Sequence, residues 1–390
     1  MRFGLDFYAV VCRIVYMKRG IEDKIKADLE QKMVFLSGPR QVGKTTLSKS
    51  LYPANSEYFN MDNAEHRLLV QKQAWRRDCD LVIFDELHKV RKWKRWIKGI
   101  YDTEGVRPRL IVTGSSRLDI YRKGGDSLAG RFYSHRLHPL SVAEVKEDYP
   151  ADTALEQIMK FGGFPEPFLK GNDEESKRWR RSHVDRILRE DLLDIALVRN
   201  LRSMETLVEL LRNSVGSTIS YESLSRDIQV SPHTVKQWIG MLESLYIIFV
   251  VTPYHRNIGR SLIKQPKVYF YDTGFVKDDE GARFENAVAC ALLKRLHFLE
   301  DMAGDKCALH YLRDKERREV DFLAVRDGMP EWLIETKLTD TTDIPSLKHF
   351  YGYFSKKTKP ILLVKNLKRE MFIDDVYIKK AGSWLQGLEA

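Results

Sequence analysis

Nothing in this sequence is spaced to hold zinc. Its four cysteines (Cys12, Cys79, Cys290 and Cys307) lie far apart along the chain and form no C-x-x-C pair. The ten histidines make neither an H-x-H nor an H-E-x-x-H spacing. These absences disfavour a zinc site and a disulfide framework, and separate thiols suit a reducing cytoplasm, the expected location. Long apolar runs are missing too: none approaches the roughly eighteen residues a membrane helix requires, so no membrane partner is expected. The apolar opening is interrupted by Asp6 and Arg13 and is followed by no small-residue cleavage site. It reads as an N-terminal extension over residues 1–20, not as a signal peptide. Met17 is an alternative start, because the residues after it read as an amphipathic helix leading into the first strand. Internal repeats and low-complexity tracts are also absent. What the chain does have is charge: 65 lysines and arginines against 55 acidic residues in 390. The balance of +10 leans weakly toward polyanion partners such as nucleic acid.

From residue 33 to 140, short apolar runs alternate with helical stretches: "MVFL", "EYFNM", "LVIF", "LIVT" and "FYSHRL" are the strand candidates. Several are apolar throughout, as in strands covered on both faces, and the alternation predicts a doubly wound α/β unit with a parallel sheet. Residues 141–212 turn helical, with "SVAEVKEDY" first and "SKRWRRSHVDRILREDLLDIALV" later, broken by the Gly/Pro segment "FGGFPEPF". A charged stretch, "KDDEGAR" at 277–283, marks a boundary. Beyond it come a helix at 284–297 and strands at "LHYLR", "EVDFLAV", "EWLIETK" and "PILLV", a second α/β unit.

The run Gly38-Pro39-Arg40-Gln41-Val42-Gly43-Lys44-Thr45 fits G-x-x-x-x-G-K-[ST] without mismatch, follows an apolar strand and opens a helix. Its glycines let backbone N–H groups turn toward phosphate oxygens, with Thr46 just inside the helix. Lys44 brings a point charge to the β and γ phosphates of ATP, and the Thr45 hydroxyl reaches Mg²⁺. "DLVIFDELHKV" supplies the acid pair such a site needs at a strand tip: Asp85 to hold Mg²⁺ and Glu86 to orient or deprotonate the attacking water. Thr113, Ser115 and Ser116 end a neighbouring strand where a polar residue senses the γ-phosphate or simply caps the strand. Arg117 and Arg131 are candidate arginine fingers. A finger acting between subunits would imply an oligomer.

Near the C-terminus, Asp321 ends one β run and Glu335-Thr336-Lys337 closes the next. An acid followed by E-x-K across a hairpin is the arrangement of metal-dependent phosphodiesterases. Asp321 and Glu335 would hold Mg²⁺ or Mn²⁺ and Lys337 would position or activate water. Between the two α/β units, Leu224 and Ile228 share one helical face, Ser231 is a good N-cap, and Val235, Ile239 and Leu242 form the next buried stripe. That is helix-turn-helix spacing, in which His233, Thr234, Lys236 and Gln237 would face a DNA groove. "SKRWRRSHVDR", with Trp179, is either a phosphate-binding face or a solvated helix surface.

The segments "GPRQVGKTT", "VIFDELHKV", "LIVTGSSRLD", "SLAGRFYSHRLHPLSVAE", "GGFPE", "KVYFYDTGFV", "FENAV", "REVDFLAV" and "IETK", in that order, resemble the AAA+-type P-loop ATPases of bacteria and archaea that carry a C-terminal domain of unknown function. The resemblance implies an AAA+-like ATPase core at 21–145, a helical lid or linker at 146–212 and a winged helix at 213–276. It further implies a fold similar to PD-(D/E)xK restriction nucleases at 284–390, in which Glu285 completes the metal set. The expectation is an ATPase coupled to a DNA-binding, nuclease-like half. The alternative is a nucleotide-dependent switch that engages a protein partner and whose nuclease-like domain is inactive.

Overall fold

A computed structural model describes residues 17–114, 128–191, 201–255, 265–277 and 279–388, except the side chains of residues 190 and 191. Contacts divide the chain into two units after Pro139.

In the first unit, α1 (Glu22–Leu29) leads into β1 (Met33–Ser37), followed by α2 (Lys44–Leu51), β2 (Ser56–Asn60), α3 (Ala64–Gln71), β3 (Leu81–Asp85), α4 (Trp93–Glu104), β4 (Arg109–Thr113) and β5 (Phe132–Arg136). The strands form one parallel sheet in the order β2-β3-β4-β1-β5. The three inner strands are buried at every residue, whereas each edge strand buries one. Uniformly apolar runs therefore mark the strands covered on both faces. On one face Phe35, Phe59, Trp75, Phe84 and Trp93 form a buried aromatic cluster, each ring contributing about 1.5–3 kcal/mol by leaving water.

The second unit begins helically: α5 (Ala151–Phe161), α6 (Pro165–Lys170), α7 (Asp173–Arg186), a π-helical turn (Ile187–Asp191) and α8 (Leu201–Arg212). The expected helix at "SVAEVKEDY" is instead a series of turns. Next come α9 (Tyr221–Asp227), α10 (Pro232–Ser244), β6 (Ile248–Pro253) and β7 (Lys267–Phe270), then α11 (Glu280–Ala303). The chain continues with β8 (Cys307–Arg313), β9 (Glu319–Arg326), β10 (Met329–Thr339), α12 (Pro345–Tyr351), β11 (Lys359–Asn366), β12 (Met371–Ile373), β13 (Val376–Lys380) and α13 (Ala381–Gln386).

The expected helix-turn-helix residues form α9 and α10: the Ser231 side chain accepts from the Thr234 amide at 3.1 Å, and Leu224, Ile228, Val235, Ile239 and Leu242 are buried. Residues 213–276 and 284–390, expected as separate domains, share one sheet. β6 and β7 belong to the same eight-stranded sheet as β8–β13, joined where Thr252 and Pro253 pair with His310 and Tyr311. Within the charged stretch expected as a boundary, α11 begins at Glu280, and the Asp279 side chain caps it by accepting from the Ala282 amide at 2.9 Å. No helix among the described residues is long and apolar enough to cross a membrane.

Candidate functional site

The turn between β1 and α2 puts its glycines where no other residue fits. Gly38 has φ of +142°, and a Cβ there would lie 2.3 Å from the Leu137 carbonyl oxygen. Gly43 caps α2 in the left-handed region, with φ of 101°. Gln41 also turns left-handed, at φ of 60°. Val42 is fully buried and pins the loop from beneath. Arg19, almost fully buried, donates to the Val42 carbonyl at 3.0 Å and to the His138 carbonyl. It thus ties the loop to the end of β5 and belongs to this unit, although the sequence reading placed it in an N-terminal extension. Because Ala at position 38 adds a clash to a disfavoured φ, Gly38→Ala is expected to weaken ATP binding at least tenfold while helix content stays unchanged. Titration with a fluorescent ATP analogue, beside circular dichroism, checks this.

Lys44 opens α2 and folds back over the loop, donating to the carbonyls of Gly38 at 2.9 Å and Pro39 at 2.6 Å. Its ammonium is thus held within the loop whose amides would cradle phosphate. Asp85 ends β3 beside β4, as the sheet order requires, and is 7% exposed. Three hydroxyls converge on its carboxylate: Thr45 at 2.9 Å, Tyr58 of β2 at 2.8 Å, and Thr113 of β4. Of these, Tyr58 was not anticipated from sequence. Its role depends on β2 lying next to β3, a long-range fact with no local signal. Burial and the Asp85 carboxylate push its phenol well above the usual range.

Glu86 follows with φ of 58° and ψ of 32°, an uncommon left-handed conformation for a non-glycine residue. Burial pushes its carboxyl above the usual range, against the pull of Lys44 and Lys89. A carboxylate so raised is a stronger proton acceptor than a solvated one. Thr46 lies in the first turn of α2, and Arg40 is close enough to act on Glu86 electrostatically. Ser115, Ser116 and Arg117 lie outside the described residues.

Arg131 is not brought to this loop in its own chain. It precedes β5, whose opposite end carries Arg136 beside Ser37 and the loop. The strand's length, roughly 16 Å at 3.3 Å per residue, lies between. Its guanidinium is instead held two-pronged by Asp102 of α4, at 2.6 and 3.1 Å.

In the second unit the predicted metal residues meet around a cation. Lys267 of β7, 1% exposed, places its ammonium 3.1 Å from Glu285, 2.6 Å from Glu319 and 3.9 Å from Asp321. Tyr269 donates to the same Glu285 oxygen at 2.6 Å. The second Asp321 oxygen accepts from the backbone and side chain of Thr336, at 2.8 and 2.7 Å. Lys337 pairs with Glu335 at 2.9 Å, leaving the other Glu335 oxygen buried without a hydrogen bond. Burial drives Glu285 up to about 7, reinforced by Asp321 and opposed by Lys267.

Of the expected metal set of Glu285, Asp321 and Glu335, the first two share an ammonium and the third pairs with Lys337. An ammonium fills the space between the first two, and no group of acidic, histidine or cysteine side chains among the described residues is arranged to hold a metal ion. Lys267 stands where an ion shared by Glu285 and Asp321 would sit, whereas Glu335 keeps a buried oxygen without a hydrogen bond. In the first unit the donor set of Thr45 and Asp85 does fit Mg²⁺, because hard oxygen ligands beside an anion-binding loop are what that ion takes.

The other nominated surfaces divide. His233, Lys236 and Gln237 are exposed on α10, whereas the Thr234 hydroxyl is engaged by Ser231 at 2.8 Å. Trp179 is half-buried, stacking on His183 at 4.5 Å and tilting against Phe164 at 5.2 Å.

Residues 30–146 match a family model described as AAA domain, and residues 152–278 and 280–381 match two models each described as a domain of unknown function, DUF8612 and DUF4143. An uncharacterized protein of Mycobacterium tuberculosis is 27% identical over 322 residues, covering 80% of this chain and 71% of the relative. Another, of Haemophilus influenzae, is 22% identical over 393 residues, covering 90% and 93%. Among solved structures, AMPPCP-bound DnaA from Aquifex aeolicus has a TM-score of 0.28 and 14% identity, covering 57% of this chain and 86% of that one. A STAND protein with a tetratricopeptide repeat sensor from Pyrococcus horikoshii scores 0.23 at 13% identity, covering 73% and 48%. Scores this low carry no structural argument. The AAA domain match covers the residues that build the phosphate loop and the Asp85–Glu86 strand tip, and supports reading that unit as a nucleotide-binding P-loop domain.

Proposed function

We propose that the chain is a magnesium-dependent ATPase whose C-terminal half binds a partner and does not cut it, so that ATP acts as a switch. The observation that carries the reading is the buried Asp85 carboxylate, on which the Thr45, Tyr58 and Thr113 hydroxyls converge beside a lysine-closed loop.

Thr45 and Asp85 would hold Mg²⁺, which when bound neutralises charge developing on the phosphate oxygens. The loop amides of residues 38–46 bind the phosphates, and Lys44 exchanges its carbonyl partners for phosphate oxygens. Glu86 orients water and takes its proton. Thr113, through Asp85, links that strand end to the state of the nucleotide. Arg131 reaches a phosphate only in a neighbouring subunit, so an oligomer remains part of the proposal only in that form. DNA and a partner protein are the candidate ligands of the second half.

The binding reading is favoured over cleavage by Lys267, which occupies the carboxylate cluster. Cleavage keeps one supporting observation, the buried and unpartnered Glu335 oxygen beside Lys337. Purified full-length chain is expected to release phosphate from ATP with Mg²⁺, to stop when the ion is chelated, and to leave linear and branched DNA intact with Mn²⁺. Absence of ATP turnover would sink the enzyme reading. DNA cleavage abolished by Lys337→Ala would overturn the non-cutting one.

A further inference from the structure

Within the second unit, α7, α8 and the segment from Gly274 to Arg283 border a groove of about 1420 Å³. That is larger than the roughly 300–1,000 Å³ that encloses a small ligand, and its lining is lopsided in charge. Lysines and arginines outnumber carboxylates nine to four.

Most of the carboxylates are already engaged: Asp173 by Lys160 at 3.2 Å, Asp185 by Arg189 at 2.6 Å, and Glu209 by Arg212 at 2.7 Å. Arg180 is spent on buried Asp272 at 3.0 Å. Lys177, Arg178, Arg181 and Lys277 are exposed and have no ion-pair partner among the described residues. On α7, Arg181 lies one turn from both Lys177 (i, i+4) and Arg178 (i, i+3), so the three bring their charges to adjoining positions. Uncompensated like charge on one face of a groove costs stability through self-repulsion, which a bound polyanion would relieve.

We infer that this groove, and not the exposed face of α10, is the principal binding surface for a nucleic-acid phosphate backbone. α10 contributes one cation, Lys236, to its exposed nominated residues. Six of the nine groove cations are arginines, whose planar forks match phosphate oxygens and keep their charge at every working pH. The one aromatic lining residue, Phe275, is covered by the Arg212 guanidinium at 4.3 Å. Bases therefore have no open ring to stack on, and the contact is to phosphates and indifferent to sequence. Four free cations predict a slope of log affinity against log salt of about −3.6 for duplex DNA.

The inference rests on reading this half as a binding module. The experiment uses the full chain and a fluorescein-labelled 30-base-pair duplex of arbitrary sequence, with anisotropy followed from low to physiological salt. Wild type is expected to show that slope, and the duplex is to be recovered uncut. Lys177→Gln with Arg178→Gln and Arg181→Gln is expected to bring the slope to about −0.9 and to weaken low-salt binding at least tenfold. ATP turnover should be unchanged and the melting temperature no lower, since all three side chains are exposed and their mutual repulsion is removed. Lys236→Gln is expected to leave the slope in place. A triple variant that keeps the wild-type slope overturns the inference. So does a slope lost with Lys236→Gln, or polyglutamate that displaces DNA at equal charge concentration, which points to an acidic protein partner. A cut duplex with the slope intact would sink the non-cutting reading and leave the groove standing.

Discussion

Replacing Glu86 by glutamine is expected to leave ATP bound and lower its hydrolysis by about two to four orders of magnitude, the range a positioned general base supplies. The isosteric amide keeps the left-handed turn at 86 and the Glu86 N–H bond to the Thr113 carbonyl at 2.9 Å, so the loop and Asp85 stay in place. What disappears is the proton acceptor, whose basicity burial raises. Lys44→Ala should behave differently. It removes the ammonium now resting on the Gly38 and Pro39 carbonyls, and with it most nucleotide affinity as well as turnover. Binding of a fluorescent ATP analogue and phosphate release, measured on both variants, separate the two roles. If Glu86→Gln loses binding too, the residue's contribution is to the turn and not to proton transfer. Wild-type turnover in that variant would mean that water is oriented by another group.

The phosphate loop and the acid pair were legible because their parts are local. A phosphate loop is eight consecutive residues, and an acid pair at a strand tip is two. The uniformly apolar runs of β1, β3 and β4 announced strands covered on both faces. What stayed hidden depends on which strands become neighbours. Tyr58 reaches Asp85 only because β2 lies next to β3, and Arg131 is removed from the loop because parallel pairing with β1 puts it at the opposite end of β5. Among the carboxylates of the second unit the sequence offered no sign of the ammonium that Glu285, Glu319 and Asp321 share. Lys267 lies fifty-odd residues before Asp321 in a stretch read as a wing, and nothing local says that β7 joins the same sheet as β9. A charged stretch at 277–283 has the composition of a linker and the chemistry of a helix cap. Only the fold distinguishes the two.

Lys267→Met is the substitution expected to damage the second unit most. It leaves the side-chain volume nearly unchanged and removes the ammonium that Glu285, Glu319 and Asp321 share, with Arg313 left to Glu319 at 3.5 Å. Breaking a buried charge cluster from one side costs about 3–5 kcal/mol, because the remaining charges stay desolvated and now repel. The loss depends on pH with a definite sign. Glu285 already titrates at about 7 in the fold, above the usual 4.5, and Lys267 is the group pulling it down. Without the ammonium its folded value rises further. The folded variant then holds a proton that the unfolded chain releases above 4.5, so its stability is greatest below that pH and falls as pH climbs through and beyond 7. Urea unfolding at pH 5 and pH 8 is therefore expected to place the variant nearer wild type at the lower pH. Adding Glu285→Gln to Lys267→Met removes the buried acid and keeps an acceptor for the Tyr269 hydroxyl. It should recover part of the loss at pH 8 and little at pH 5, a coupling between touching residues. A Lys267→Met chain as stable as wild type at pH 8 would mean that the ammonium does not neutralise the cluster, and the metal reading would return with it.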